Sequence, residues 1–365
     1  MDRLMEAQEL LSAAGHIEQP QSNSGNALVP GRDYLLEQNA KGFNIEGLGS
    51  NLLGRRSINP AMIAVWPEKF QARFDMEYSE VADSDNGSVI NFKGDICKTP
   101  VLDTYLRGIV SIDELPDILV TTGMNKLYGH VFVKQLLVHD NYALLHPSCL
   151  LSAAGFYNAK YPMNVIAADA LVMVLDKRQM MTRPHPKEWY ELLAPWLENN
   201  IVMTGENDVY MNAVLFHLIK NYGLNAVPAF TRNISTCVSP SRILEKINGD
   251  KTAGHCMYVL PYSFARQISN NIDFDIVWPL DGAIAIPVQL LLKRDAAKAH
   301  TKLVQLLTGK AFRAALEQEG FVTNERYKEL ENQGKSLCWV GWNFIEQYDI
   351  AEMACASSHT VTEMP

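Results

Sequence analysis

The chain lacks any apolar run long enough to cross a membrane. A spanning helix needs roughly 18 consecutive apolar residues, and no stretch of the 365 residues reaches that length. Runs of lysine or arginine are absent as well, and 32 basic against 41 acidic side chains give a formal charge of −9. Because nucleic-acid binding depends on clustered positive charge, this balance disfavours nucleic acid as a partner, and we expect no membrane insertion.

Sequence motifs of several enzyme classes are also missing. There is no Gly-x-Ser-x-Gly elbow, no Gly-x-x-x-x-Gly-Lys-Ser/Thr phosphate loop and no His-Glu-x-x-His. The pair Gly47 and Gly49 does not complete a dinucleotide fingerprint, because Leu52 stands where a third glycine is required. Hydrolase, kinase and nicotinamide functions are therefore disfavoured, and no catalytic residue is assigned.

Closely spaced cysteines are lacking too. The six cysteines form no Cys-x-x-Cys pair, so we interpret them as free thiols of a reducing compartment. Three long-range disulfides stay open as the alternative. The cysteines are Cys97, Cys149, Cys237, Cys256, Cys338 and Cys355.

The N-terminus does not resemble a secretory signal. Asp2, Glu6 and Glu9 stand where a basic region and an apolar core are expected. The sequence as given therefore predicts a cytoplasmic protein, or a periplasmic or extracellular one if a leader has been removed.

What the chain does contain is an alternation of strand-like and helix-like segments from about residue 43. Its length exceeds what one core usually supports, which predicts two α/β lobes. We expect a helix over 59–78, because Asn59-Pro60 is a typical helix start. The long Val/Ile/Ala-rich run at 164–175 predicts a strand that crosses between the lobes. Further strands are expected near 43–47, 88–92, 118–121, 257–261, 275–278 and 283–293, and helices near 124–138, 186–195, 207–222, 295–307 and 310–318, with two short helices in 232–247.

The order of several segments resembles one family. WPLDGAIAIP at 278–287 is followed by two helix-like segments and by WVGWNFI at 339–345. Segments 115–123, 186–193 and 257–261 precede them in the matching order. Together they resemble ABC-transporter substrate-binding proteins of the type II periplasmic fold, over about residues 44–346.

This resemblance implies an α/β fold of two lobes, each a central, mostly parallel sheet flanked by helices. The expected divisions are an N-terminal helix and linker (1–42), the first part of lobe 1 (43–165), lobe 2 (166–280), the return crossing and closing helices of lobe 1 (281–348) and a C-terminal tail (349–365).

The function implied is capture of a small polar, cationic or metal-bearing ligand in an interlobe cleft by hinge closure. The partner would be an ABC permease or a cytoplasmic protein. Two alternatives remain open at this point: a cytoplasmic enzyme built on the same fold, for which Cys97, Glu206 and Asp281 are the nominated groups, and a partner-binding scaffold without a ligand.

Candidate ligand-binding residues follow strand ends, because ligands of open α/β sheets bind beyond the carboxyl ends of the strands. Each candidate also has a structural alternative. The first loop can be a simple turn, Thr122 a helix cap, Asp208 a cap favoured by the helix dipole, and Asp281 an acceptor for turn amides. The candidates are Ser50, Asn51, Thr121, Thr122, Gly123, Asn125, Thr204, Gly205, Glu206, Asn207 and Asp281.

A bound metal ion is expected only as an open option, since no metal motif is present. Tyr258 and Tyr262 are not an adjacent pair, so the tyrosine iron site of some relatives does not transfer. Cys237, His255 and Cys256 are candidates for a softer metal site, with buried structural thiols as the alternative.

Overall fold

The computed structural model describes residues 45–46, 62–66 and 89–93 as backbone strands, and most of the chain from 106 to 354. Within that last range it does not describe 107–108, 110, 116–117, 138, 148–149, 182, 206–208, 250–253, 269–270 and 300. The predicted N-terminal helix and the residues Ser50, Asn51, Cys97, Glu206, Asn207 and Asp208 lie outside the described residues.

Eleven described strands form one sheet whose order is β1-β3-β2-β4-β10-β5-β8-β6-β7, with β11 beside β10 and β9 beside β5. The strands are β1 Ile45–Glu46, β2 Met62–Trp66, β3 Val89–Lys93, β4 Ile118–Thr122, β5 Asn164–Asp176, β6 Ile201–Thr204, β7 Ile234–Val238, β8 Met257–Pro261, β9 Phe274–Val277, β10 Ala283–Leu292 and β11 Leu337–Cys338.

The sheet consists of two parallel parts joined by two antiparallel strands. In the first lobe β2 runs parallel to β3 and β4; in the second lobe β6 runs parallel to β7 and β8. Between them β5 and β10 pair antiparallel, and each also pairs with one lobe. A type II two-lobed α/β fold is built in this way.

The long crossing strand β5 is buried along its whole length because it is covered on both faces. Its side chains alternate between two hydrophobic clusters. Val165, Val172 and Val174 belong to one cluster, while Leu171 and Met173 belong to the other. A strand covered on both faces reads as a continuous apolar run, which is the pattern found in the sequence.

Ten described α-helices flank the sheet. They are α1 Lys177–Met180, α2 Val209–Tyr222, α3 Ala226–Asn233, α4 Pro240–Gly249, α5 Tyr262–Ala265, α6 Arg294–Ala299, α7 Thr301–Thr308, α8 Lys310–Gln318, α9 Asn324–Asn332 and α10 Trp342–Gln347. The segment after β4 forms a 3-10 turn, Lys126–Tyr128, and a π-helical turn, Phe132–Leu136.

The C-terminal segment packs onto the first lobe through aromatic rings. Trp342 stacks on Tyr161 with ring centroids 4.2 Å apart, and its indole N–H donates to the carbonyl oxygen of Phe156. Trp339 lies 4.7 Å from the Phe156 ring, centroid to centroid. Tryptophan packing and an indole hydrogen bond therefore hold this segment against Phe156 and Tyr161.

Two predictions about secondary structure were wrong. Residues 62–66, inside the predicted helix over 59–78, form the strand β2, because pairing with two neighbouring strands outweighs a local helix-start signal. The two helices expected in 232–247 are instead the strand β7 followed by α4. The strand predicted at 164–175 and the helix predicted at 207–222 are confirmed as β5 and α2.

Candidate functional site

Two adjacent threonines at the end of β4, Thr121 and Thr122, differ in the hydrogen bonding of their hydroxyl groups. The Thr121 hydroxyl accepts a hydrogen bond from the Asn125 side-chain amide at 2.6 Å. Asn125 in turn accepts from the backbone N–H of Leu127 at 3.0 Å and caps the 3-10 turn. The cap expected from Thr122 is thus supplied by Asn125. Within the described part of the chain, the buried Thr122 hydroxyl has no hydrogen-bond partner.

Gly123 is held in place by the crossing strand β10. Its φ angle of +74° lies in the region that favours glycine. Its N–H donates to the carbonyl oxygen of Pro287 at 2.8 Å, and its carbonyl accepts from the Gln289 side chain at 3.1 Å. The Tyr128 hydroxyl donates to the other end of Gln289. Gln289 was missed in the sequence, although a single amide in an apolar strand is a usable signal.

The loop after β6 has the same features in the second lobe. Thr204 is the last residue of β6, and its buried hydroxyl has no partner among the residues that the structure describes. Gly205 follows with φ +125°, and its N–H donates to the carbonyl oxygen of Val238 at 3.0 Å. A Cβ atom at Gly205 would lie 3.7 Å from the Cβ of Tyr210. The loop therefore runs directly against the first turn of α2.

The two loops meet at this first turn of α2. A Cβ atom added at Gly123 would overlap the Cγ1 atom of Val209, the first residue of the helix. The first-lobe pair Thr122 and Gly123 and the second-lobe pair Thr204 and Gly205 are thus brought to one place, although about 80 residues separate them in the chain. A helix N-terminus also presents free backbone N–H groups.

Asp281 lies in a different group. Its carboxylate accepts from the backbone N–H of Trp189 at 3.1 Å and lies 4.0 Å from His217 Nε2. His217 stands eight residues after Val209 on α2, about 12 Å along the helix. Burial raises the pKa of Asp281, while the Trp189 N–H acts in the opposite direction. The structure therefore places Asp281 with His217, and not beside the two threonines.

A buried carboxylate that sequence reasoning missed connects the crossing strand to the second lobe. Asp169, in β5, accepts from the backbone N–H of Ser263 at 3.2 Å and from its hydroxyl at 2.5 Å. A Cβ atom at Gly320, in the segment that closes the first lobe, would lie 2.8 Å from Ser263 Cα. Gly320 and Ser263 thus form a second close contact between distant segments, after that of Gly123 and Val209. An aspartate inside an apolar strand was the available signal.

The residues considered for a metal do not assemble into a site. Among the described residues no group of three or more His, Cys, Asp and Glu side chains is placed to hold an ion. His255 Nε2 lies 2.8 Å from the Ser235 hydroxyl, while the buried Cys256 thiol donates to the carbonyl oxygen of Asn200 at 3.8 Å. A soft metal site of Cys237, His255 and Cys256 is thus not formed.

The two tyrosines also point into different surroundings. The Tyr258 ring packs against Phe274 at 6.2 Å between centroids, and the Tyr262 ring packs edge-to-face against Trp278 at 5.5 Å. They do not form the adjacent tyrosine pair of an iron site.

Comparison with known protein families identifies the group to which this fold belongs. The model of the bacterial extracellular solute-binding protein family matches residues 113–348, more than half of the chain. A search of curated proteins found no match. None of the helices in the described part of the chain is long and apolar enough to cross a membrane.

Solved structures share the fold at low sequence identity. The iron-bound protein HitA from Pseudomonas aeruginosa has a TM-score of 0.57 and 12% identity over 84% of this chain and 100% of that one. A Trichodesmium protein, IdiA or FutA, in complex with iron and citrate has a TM-score of 0.57 and 11% identity over 83% and 98%. A putative spermidine/putrescine ABC transporter protein from Listeria monocytogenes has a TM-score of 0.52 and 14% identity over 84% and 100%.

The fold is the two-lobed fold of the type II binding proteins. The chain belongs to the family of bacterial extracellular solute-binding proteins. It is accordingly a binding protein for a small ligand.

Proposed function

We propose that this protein binds a small polar or cationic solute where the loops after β4 and β6 meet. Thr122, Gly123, Thr204 and Gly205 form the described part of the ligand site. Ser50, Asn51, Glu206 and Asn207 extend it from segments outside the described residues. Thr121 and Asn125 support the loop after β4, and Asp281 lies at a distance from the ligand site.

The observation that carries this proposal is the pair of buried threonine hydroxyls without partners. A buried polar group that makes no hydrogen bond costs about 1–3 kcal/mol. These two hydroxyls belong to residues that directly precede the glycines beside the first turn of α2, so they are suited to satisfaction by one ligand. A ligand with hydrogen-bonding groups recovers the cost only when both lobes contact it, which favours the closed form.

The sign of the ligand charge is inferred from the acids next to this site. Glu206 and Asp208 stand one and three positions after Gly205 in the chain, and carboxylates beside a ligand repel an anion. The relatives named above for iron and for spermidine or putrescine are named for ligands that carry positive charge. A bound metal ion would then be part of the cargo rather than a resident cofactor.

The family supports a proposal for the partner and for the compartment. An ABC permease that recognises the closed, ligand-bound shape is the partner we propose. The extracellular character of the family supports the periplasm or the cell exterior over the cytoplasm. Fractionation of cells that express the natural gene, followed by immunoblotting, distinguishes these compartments.

The experiment begins with native mass spectrometry and elemental analysis of protein purified without added metal or chelator. Ferric citrate, putrescine and spermidine are then titrated by calorimetry into the wild type and the variants Thr122→Val and Thr204→Val. Each substitution removes a hydroxyl at nearly constant volume. Affinity for the ligand that binds should fall about ten-fold per variant, since about 1.4 kcal/mol of hydrogen bonding is lost.

A second readout separates binding from folding. Removing an unpartnered hydroxyl should leave the unliganded stability unchanged or raised. The matched control is Thr308→Val, because the Thr308 hydroxyl donates to the carbonyl oxygen of Val304 at 2.7 Å on α7, a helix outside the site. The control should bind normally. Unchanged affinity in both site variants, for a ligand that the wild type binds, contradicts the assignment.

A further inference from the structure

Gln289 is a buried amide in the apolar crossing strand β10. Its neighbours in the strand, Val288 and Leu290, are apolar, and all three side chains are buried. The Nε2 group of Gln289 donates to the carbonyl oxygen of Gly123 at 3.1 Å, and its Oε1 atom accepts from the Tyr128 hydroxyl. Because a buried amide without partners is costly in free energy, these two hydrogen bonds determine where the side chain lies.

The donor and acceptor roles in this chain of hydrogen bonds follow from the Gly123 carbonyl. A carbonyl oxygen only accepts, so the NH2 group of Gln289 faces Gly123 and the amide oxygen faces Tyr128. The Tyr128 hydroxyl must then donate. Burial raises the pKa of Tyr128 well above its usual range, so the hydroxyl keeps the proton that it donates.

The Tyr128 ring is held in turn by two tryptophans of the C-terminal segment. Its centroid lies 5.9 Å from that of Trp342 and 6.5 Å from that of Trp339. The ring is fully buried. Tyr128 is therefore a fixed donor, and the Gln289 side chain is oriented before any ligand arrives.

Gln289 and Thr122 lie on opposite faces of the sheet. In the pairing of β4 with β10, Gln289 stands opposite Thr121 and Val288 stands opposite Thr122. Directly opposite residues of an antiparallel pair point to the same face, and successive residues alternate between faces. Gln289 thus acts on the loop after β4 through the backbone of Gly123, and not through the Thr122 hydroxyl.

We propose that Gln289 is a positioning residue of the solute site, which fixes the Gly123 carbonyl and thereby holds the loop after β4 in the conformation that receives the ligand. This inference rests on the proposed function. Both polar backbone groups of Gly123 are bonded to β10, because its N–H donates to the Pro287 carbonyl at 2.8 Å. Glycine has wide conformational freedom, so a restraint from outside the loop determines its backbone.

The position of Gln289 in β10 suits this role. The pairing of β10 with β4 covers Val288 to Leu292, so Gln289 is near its beginning. The register of β10 against β5 shifts between Val288 and Gln289. Such irregularities bend a strand and re-aim its side chains. The amide is thus aimed at the loop where the crossing strand enters the first lobe.

Amide hydrogen exchange of the unliganded full chain tests the restraint directly. Gln289→Met removes both hydrogen bonds at similar volume, and exchange in residues 119–127, followed by mass spectrometry, should rise about ten-fold. Tyr128→Phe keeps the bond to Gly123 and should stay within about two-fold of the wild type. The matched control is Asn233→Leu, since Asn233 is a buried amide of the second lobe that donates to two backbone carbonyl oxygens. Unchanged exchange in Gln289→Met overturns the proposal, as does an equal rise in Asn233→Leu.

Affinity separates positioning from stability. For the probe that the wild type binds among ferric citrate, putrescine and spermidine, Gln289→Met should bind about ten-fold more weakly, whereas Asn233→Leu should bind normally. Adding Tyr128→Phe removes the orphaned hydroxyl, so the double variant should regain part of the lost stability while its affinity stays low. Recovery of affinity together with stability would show a structural role only and would overturn the proposal. The double variant also provides the test if Gln289→Met alone does not fold.

Failure of this inference is distinguishable from failure of the solute site. Weaker binding in Thr122→Val and Thr204→Val with normal binding in Gln289→Met overturns the positioning role alone. Normal binding in both threonine variants with weaker binding and faster exchange in Gln289→Met refutes the threonine contacts and supports the positioning role. If the wild type binds none of the probes, the exchange measurement decides, because it needs no ligand.

Discussion

At the residue scale, burial decides what each polar group can do. The hydroxyls of Thr122 and Thr204 are buried without hydrogen-bond partners in the described structure, whereas the Thr121 hydroxyl accepts a hydrogen bond from Asn125. His217 is buried and near Lys220, so its neutral form is favoured. Neighbouring residues of the same type thus differ in hydrogen bonding because of the groups that surround them.

The neutral state of His217 predicts a loss of stability in acid. Its pKa is lowered to about 4 in the folded protein, against about 6.5 when unfolded. The unfolded chain therefore binds more protons between these values, and this contribution is complete above about pH 6.5 and is lost as the pH falls towards 4. Between pH 7 and pH 4.5 the loss is about 2 kcal/mol.

Urea unfolding at the two pH values measures this contribution. His217→Gln should lose about 2 kcal/mol less than the wild type between pH 7 and pH 4.5. Asp281 titrates in both proteins, so its effect cancels to first order. An equal loss in both proteins would show that His217 does not carry the acid sensitivity.

At the element scale, the first turn of α2 requires the backbone of the β4 loop to pass without a side chain. Gly123 has a positive φ and also lies against Val209. Gly223, which ends α2, has a similar φ of +78°, but a Cβ atom there would meet nothing within 4 Å. Substitutions at the two glycines therefore distinguish the free-energy cost of the backbone conformation from the free-energy cost of steric overlap.

Gly123→Ala and Gly223→Ala should therefore differ in stability. Gly223→Ala should cost about 1 kcal/mol, the strain of a positive φ alone. Gly123→Ala should cost about 2–3 kcal/mol, because the new methyl group also displaces Val209. Adding Val209→Ala should recover part of the difference. Chemical denaturation of the three variants provides the values, and equal costs for both glycines would refute the close contact.

At the scale of the whole molecule, two close contacts, here called seams, join distant segments of the chain. One seam joins Gly123 to Val209, and the other joins Gly320 to Ser263 and Arg266. At the second seam the nearest atom is the Cα of Ser263, which cannot move aside as a flexible side chain can. Asp169 holds Ser263 to β5, so this contact resists local relaxation.

Gly320→Ala should consequently hold the lobes further apart. We expect a larger radius of gyration by small-angle X-ray scattering than for the wild type. The control is Gly334→Ala, which has a φ of +72° and open space around its Cβ position. If Gly320→Ala and Gly334→Ala give the same scattering curve as the wild type, the second seam does not limit the separation of the lobes.

The sequence by itself determined the fold class and the crossing strands. Two apolar runs, now β5 and β10, are local patterns that indicate strands covered on both faces. The order of segments from residue 115 onward added the family. Local signals failed at β2, because strand pairing is a property of distant segments.

Only the tertiary structure decided which candidates stand together. Thr121 is hydrogen-bonded to Asn125, and Thr122 is not. The fold also brings the loop after Thr204 to the loop after β4 across about 80 residues of chain. It also moved Asp281 away from that place and beside His217. These outcomes depend on contacts between distant segments, and such contacts leave no local pattern in the chain.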